Sequence, residues 1–323
     1  MSMIPSPFSY IQIFRANFYW LAEHLLRRTL FSYFFDKKVK KHRLDLLDTL
    51  KTIEKNKEVY IDEISNLSPR DFFYKYFLKN RPVILKGAAK NWKCMKWNFD
   101  FFLDKFGQEE TMVTDENDQN FDSLKEIILQ LRSGNLKSAR ICNVLQNHQE
   151  LLQDVDINHL KKYIPFCSFT TSHQFFLGAK GNITPLHAGA TNNFSIQLHG
   201  TKIWRLIDPN FNPVINPIIN QEPLFRSYLD PKNKNSDKYP EVDYIPIIIA
   251  KLEPGDILFN PTFYWHHVSY ESESITIGLR WLNLYNLIRS SITMGALLAT
   301  ATNPPAILSF LNIHKGKTTP FYK

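Results

Sequence analysis

Between residues 171 and 283 the chain is written in short β-like runs, each closed by a turn signal. Asn193–Leu198, Lys202–Ile207, Asp256–Asn260 and Ser274–Leu279 are the clearest. Runs of this kind point to an antiparallel sandwich or barrel. A polar insertion rich in Pro and Asn, Asp208 to Pro240, separates two groups of them. With 44% of 323 residues hydrophobic and 14% aromatic, the chain can bury a sizeable core and is not a disordered one. Glycine is scarce, 11 in all, which excludes a linker-like architecture and lets each glycine be read singly.

The flanks read as helical. Residues 1–55 form an N-terminal helical segment, 56–285 the β-rich domain and 286–323 a C-terminal helical extension. Phe8 to Phe35 is aromatic-rich but interrupted by Arg15, Glu23, Arg27 and Arg28, so it reads as one or two amphipathic helices. Residues 1–14 carry no positive charge, so no signal peptide is expected. The basic cluster Lys37, Lys38, Lys40, Lys41 and Arg43 is expected as a solvated run after helices packed on the main domain. Peripheral contact with an anionic membrane is the alternative. Within the domain, Arg81–Gly87 reads as a short strand, and Phe99–Phe106 and Ser123–Arg132 as helices. Ser290 to Ile313 holds no charged residue over 24 positions, long enough to span a bilayer. Asn303, Pro304 and Pro305 interrupt it, so two short helices for core packing or homodimerisation are expected instead.

Three cysteines without CxxC spacing, Cys94, Cys142 and Cys167, argue against a disulfide framework or a zinc ribbon. A reducing, intracellular, cytoplasmic setting is therefore the expectation. The net charge of +8 comes with no nucleic-acid-binding motif, so nucleic acid is not expected as a partner.

Two segments carry the chemistry. Thr184-Pro185-Leu186-His187 leads into Gly189, Asn193, Gly200 and Lys202; Pro254-Gly255-Asp256 leads into Trp265-His266-His267-Val268. Each is weak alone, because a histidine on an apolar strand is commonly a core residue. Together they place two imidazoles on strand-like segments that a sheet can bring to one point. In a regular strand His187, Gly189 and Asn193 share a face, whereas His266 and His267 face opposite ways, so one of that pair serves as a ligand. Two imidazoles and a carboxylate on one face would leave three positions open on Fe(II).

The set resembles the Jumonji-C, cupin-like branch of the 2-oxoglutarate/Fe(II) oxygenases, near the factor-inhibiting-HIF type. That family writes Thr-Pro-Leu-His-x-Asp, then Asn, Gly-x-Lys, Pro-Gly-Asp and Trp-His-x-Val. Arg81-Pro82-Val83, Gly87-Ala88-Ala89 and Trp92 resemble its opening strand, and the likeness covers about residues 60–285. It implies a mainly β fold: a double-stranded β-helix, a cupin-like jelly roll, with flanking N- and C-terminal α-helices. It implies that His187 and His266 hold iron, that Lys202, fifteen positions after His187, pairs with the far carboxylate of 2-oxoglutarate, that Thr184 donates to the same carboxylate, and that Asn193 orients the cosubstrate. Lys202 taken alone would read as a surface cation after the Gly200 turn.

One position departs from the family. Gly189 stands where the metal-binding Asp is written, and no Asp or Glu occurs from Gly189 to Leu206. Three readings stay open. The site resembles that of 2-oxoglutarate-dependent radical halogenases, which write His-x-Gly or His-x-Ala and seat a halide such as chloride in the vacated position. It is an oxygenase with two histidines and water, or with a carboxylate from elsewhere. Or it is a catalytically inactive cupin-like protein acting as a binding or scaffold module. The first two share Fe(II) and 2-oxoglutarate, which makes an enzyme of this class the expected function. The substrate is open: a protein side chain, a small molecule or a lipid-like molecule.

Overall fold

The computed structural model describes residues 4–114, 119–134, 140–219 and 224–301. Ser9 caps the first helix with a capping box, its hydroxyl accepting from the Gln12 amide and the Gln12 side chain accepting from the Ser9 amide. The helical stretch Tyr10–Leu50 is not one rod. Arg27 leaves the helical region (φ 61°, ψ 158°) and the chain folds back. Gln12 Nε2 then donates to Asp45 Oδ2 (3.1 Å) and to Thr49 Oγ1 (2.7 Å), and the Tyr19 ring lies 5.6 Å from the His42 ring. The result is an antiparallel helical hairpin. Ala16, Trp20, Leu46 and Leu50 bury one side of it against Phe211, Ile215 and Trp265. The basic cluster was expected after the helices; it lies on the second arm, because no Pro or Gly separates Phe35 from Lys41.

The described residues hold fifteen strands: β1 (Glu58–Tyr60), β2 (Glu63–Ile64), β3 (Val83–Leu85), β4 (Glu110–Thr114), β5 (Gln119–Ser123), β6 (Arg140–Cys142), β7 (Ser168–Gly178), β8 (Ile183–Ala188), β9 (Asn192–His199), β10 (Lys202–Ile207), β11 (Phe225–Arg226), β12 (Ile247–Leu252), β13 (Ile257–Asn260), β14 (Trp265–Tyr270) and β15 (Ser274–Asn283). They form two sheets, in the orders β1-β12-β10-β14-β8-β11 and β2-β3-β13-β9-β15-β7-β6-β4-β5. From β7 to β15 successive strands alternate between the sheets, except around the insertion that carries β11. This winding is the double-stranded β-helix, with helices before and after it. The nine-stranded sheet buries Phe175, Phe194, Phe259 and Trp281 against Phe72, Phe99, Phe102 and Ile128 of the helices on its outer side.

The helix Phe99–Phe106 runs as the pattern predicts, and Leu124–Arg132 begins one residue late because Ser123 is its cap. The alternation across strands overturns one expectation. His187 and Asn193 do not share a strand: β8 ends at Ala188, the chain turns, and β9 belongs to the other sheet. At the C-terminal end the helix Leu284–Ala301 is interrupted where Ser291 becomes extended, earlier than expected. Pro304 and Pro305 lie outside the described residues. Among the described residues no helix is long and apolar enough to cross a membrane. All three cysteines are free.

Candidate functional site

His187 on β8 and His266 on β14 stand directly opposite each other in the antiparallel ladder, with ring centroids 4.0 Å apart. The His187 Nδ1–H donates to the Pro185 carbonyl (2.9 Å), and the His266 Nδ1–H to the Tyr264 carbonyl (3.0 Å). A carbonyl can only accept, so in both rings the proton is on Nδ1 and Nε2 keeps a lone pair. Burial pushes His187 down to about 4 and His266 well below the ordinary imidazole value, the second helped by the first. Both rings are therefore neutral at pH 7, the form that binds a metal. Trp204 of β10 stacks on His266 at 5.4 Å and fixes its plane. His267 turns to the opposite face, where Asp230 and Arg205 act on it, as the strand period requires.

Farther along the same face lies a second cluster. Lys202 opens β10 opposite Tyr270, the last residue of β14. It is only 2% exposed, and its ammonium lies 4.2 Å from the Tyr270 ring centroid. Among the described residues no carboxylate forms a salt bridge with it, and burial holds its pKa well below the ordinary lysine value. The Tyr270 phenol is hydrogen-bonded to Thr184. Thr184 and His187 are three residues apart and would face opposite ways in a regular strand. The β8–β14 register shifts by one residue between them, where three residues of β8 span two of β14. That bulge, which contains Pro185, turns both side chains inward. Lys202, Tyr270 and Thr184 thus sit side by side on β10, β14 and β8. Lys202 and Tyr270 lie about 13 Å along β14 from the imidazole pair, four residues at strand rise, and Thr184, opposite Val268, lies about half as far.

Tyr270 carries no motif that marks it in the sequence. Its parity with His266 and the glycine opposite its ring are the signals that could have found it. A Cβ at Gly178 would lie 2.3 Å from the Tyr270 ring, so only glycine leaves room for the ring where it is.

The turn between β8 and β9 is held firmly. Phe263 N donates to the Gly189 carbonyl (2.9 Å), Thr262 Oγ1 to the Ala190 carbonyl (3.1 Å) and Thr262 N to Asn192 Oδ1 (3.2 Å). Phe263 accepts a positive φ of 58° to do so. Gly189 is therefore a fixed position, and a Cβ built on it meets nothing within 4 Å. Asn193, on the facing sheet, pairs in register with Asn260 and Arg280. Its Oδ1 is buried without a hydrogen-bond partner, and the Asn260 amide lies 3.3 Å from His266 Nδ1.

Among the described residues no acid completes the pair. Among the described residues no group of three or more His, Cys, Asp or Glu side chains could hold a metal ion. Asp208, the first acid after Gly189, accepts from the Tyr264 hydroxyl (2.7 Å) and the Asn210 amide (2.9 Å) and is used structurally. Asp256 of the Pro-Gly-Asp motif clamps the Lys86 ammonium (3.0 Å) and the Gly87 amide (2.9 Å). The charges that act on the imidazoles are cations. Arg226 stands opposite His187 in the β8–β11 register, and Arg280 acts on both rings. Sequence reasoning found neither arginine.

The two free Nε2 atoms, the open space at Gly189 and the uncompensated ammonium fit a divalent metal together with a dicarboxylate. They fit the metal as two protein donors rather than three.

A cupin-like domain model matches residues 104–284. The chain is 27% identical over 271 residues to JmjC domain-containing protein D of Dictyostelium discoideum, covering 69% of this chain and 56% of that protein. It is 26% identical over 269 residues to arginine-specific demethylase JMJ20 of Arabidopsis thaliana, covering 68% and 56%. It is 24% identical over 263 residues to the 2-oxoglutarate and iron-dependent oxygenase JMJD4 of Gallus gallus, covering 71% and 61%. The chain spans a little over half the length of these relatives. With the alternating two-sheet winding and the paired histidines, these matches establish that the chain belongs to the cupin-like family, in its Jumonji-C branch.

Proposed function

We propose that this chain is a 2-oxoglutarate- and Fe(II)-dependent oxygenase-type enzyme whose iron is held by His187 and His266 alone. The observation that carries this reading is Lys202. A buried ammonium without a carboxylate partner is costly in a folded protein unless an anion arrives to meet it. A dicarboxylate brings two anionic ends, one for a metal held by the imidazoles and one for the ammonium. In this reading Lys202 binds the far carboxylate, Thr184 and Tyr270 donate hydrogen bonds to it, and the Asn193 amide orients the near end. Iron, when bound, supplies the oxygen-activating chemistry. The residues of the chain hold the imidazoles neutral, fix their planes through Pro185, Tyr264 and Trp204, and keep water from the dicarboxylate.

The position at Gly189 is proposed to take an anion from solution. Without a carboxylate ligand a divalent metal on the two neutral imidazoles lacks one negative charge, and a halide such as chloride in the open space at Gly189 restores it. The second reading, a binding module that retains the 2-oxoglutarate cradle without turnover, draws on the same missing donor. Relatives named arginine-specific demethylase JMJ20 and lysine-specific demethylase 8 favour a protein side chain as the substrate class.

Succinate release from 2-oxoglutarate in air, measured with Fe(II) and with or without chloride, tests these readings. Oxygen-dependent succinate supports the enzyme, and its absence beside intact 2-oxoglutarate binding supports the binding module. Chloride that leaves 2-oxoglutarate affinity unchanged rules out the anion at Gly189.

A further inference from the structure

The tip of the N-terminal hairpin exposes apolar side chains to solvent. Leu25 (76% exposed) and Leu30 flank the Arg27 turn, and Tyr33 (83%) and Phe34 follow one turn later. None of them is needed by the core, which takes Ala16, Trp20, Phe31, Leu46 and Leu50 from the other side of the same helices. Cations surround this patch. Arg27 and Arg28 are exposed at the turn, and Lys37, Lys38, Lys40 and Lys41 are exposed behind it. Leu30, Phe34, Lys37, Lys41 and Leu44 recur at intervals of four and three residues, which puts them on one stripe of the second arm. Along that stripe Leu30 and Lys37 are about 10 Å apart at helical rise.

The geometry points to this tip as a docking element for an anionic lipid bilayer surface. An interfacial helix buries its apolar side chains about 5–10 Å deep, at the boundary of headgroups and acyl chains. Leu25, Leu30, Tyr33 and Phe34 would occupy that layer, and the four lysines would then lie at the phosphates. The two arginines have side chains long enough to reach the phosphates from the turn. Charge selects this occupant over a second copy of the chain. Two such tips facing each other would bring together two clusters of six cations, each offset by only two acids, Asp36 paired with Lys40 and Glu23 beside Arg28, whereas an anionic surface neutralises the excess. Docking needs no spanning helix, and none is present among the described residues.

The test is flotation of the full-length protein with phosphatidylcholine vesicles, with and without about 30% phosphatidylserine. Partitioning should require phosphatidylserine and fall as salt rises. Each lysine near the surface contributes about fivefold to the partition coefficient, so Lys37→Ala with Lys41→Ala should weaken it roughly 30-fold. Tyr33→Ser with Phe34→Ser should weaken it on the phosphatidylserine vesicles at low and high salt alike, with an unchanged circular dichroism spectrum because neither side chain is buried. Equal partitioning of wild type and both variants overturns the proposal, as does no partitioning of the folded wild type. A dimer in sedimentation that Tyr33→Ser with Phe34→Ser converts to monomer assigns the patch to a second copy and also overturns it.

Discussion

Replacing Lys202 by methionine should make the ligand-free protein more stable and abolish its response to 2-oxoglutarate. The ammonium is fully desolvated, and the described residues offer it no carboxylate, only the Tyr270 ring at 4.2 Å and the Phe176 ring at 6.0 Å. A desolvated cation–π contact returns about 2 kcal/mol, against a desolvation penalty of several kcal/mol for a buried ion. Methionine keeps most of the apolar stem and removes the charge, so a net gain of about 1–4 kcal/mol is expected. At about 2–4 °C per kcal/mol this is a rise of several degrees in Tm. Ligand works the other way: 2-oxoglutarate at one hundred times its Kd should stabilise wild type by about 2.7 kcal/mol. Differential scanning fluorimetry of both proteins, with and without 2-oxoglutarate, reads both effects. The reasoning is refuted if the variant melts below ligand-free wild type, because Lys202 is then a structural residue. It is equally refuted if 2-oxoglutarate raises the Tm of both proteins alike.

The same burial gives a pH dependence. An unfolded Lys202 keeps its proton to its ordinary value of 10.5, while the folded one gives it up well below that. The unfolded chain therefore binds more protons in that window, so ligand-free stability should rise as pH increases toward 10.5. Chemical denaturation across that range should show the slope in wild type and a smaller one in Lys202→Met. Gly189→Asp should fold within about 1 kcal/mol of wild type, since its Cβ enters open space. It should tighten Fe(II) binding and remove any effect of chloride; calorimetry that shows weaker Fe(II) binding would argue that the position does not face the metal. Gly178→Ala drives a methyl into the Tyr270 ring and should cost about 1–3 kcal/mol by overpacking. Its 2-oxoglutarate affinity should fall as well, and an unchanged affinity would remove Tyr270 from the cradle.

The histidine pair was legible because each imidazole lies in a short β run with a turn before it, and antiparallel pairing then brings the two runs into register. Lys202 is singled out in the sequence by its distance to His187, whereas its burial is visible only in the fold. The shared face of His187 and Asn193 was misread, because the three residues Gly189, Ala190 and Thr191 carry a turn that no Pro or Asn-Gly pair announces. Tyr270, Arg226 and Arg280 were invisible for a different reason: their roles depend on which strands become neighbours, and β11, β14 and β15 meet β8 and β9 only in the folded chain. The hairpin turn at Arg27 was equally silent, since an arginine with positive φ has no local signature.

The central claim is that two histidines and one buried lysine assemble a metal and 2-oxoglutarate site without a carboxylate ligand. Anaerobic addition of Fe(II) and then 2-oxoglutarate, followed by visible absorption, tests it most directly. The account predicts the charge-transfer band of chelated 2-oxoglutarate in wild type, its loss in His187→Ala and in His266→Ala, and a large rise in the 2-oxoglutarate concentration needed in Lys202→Met. A folded wild-type protein that shows no band, or a band that Lys202→Met leaves unchanged, would contradict it.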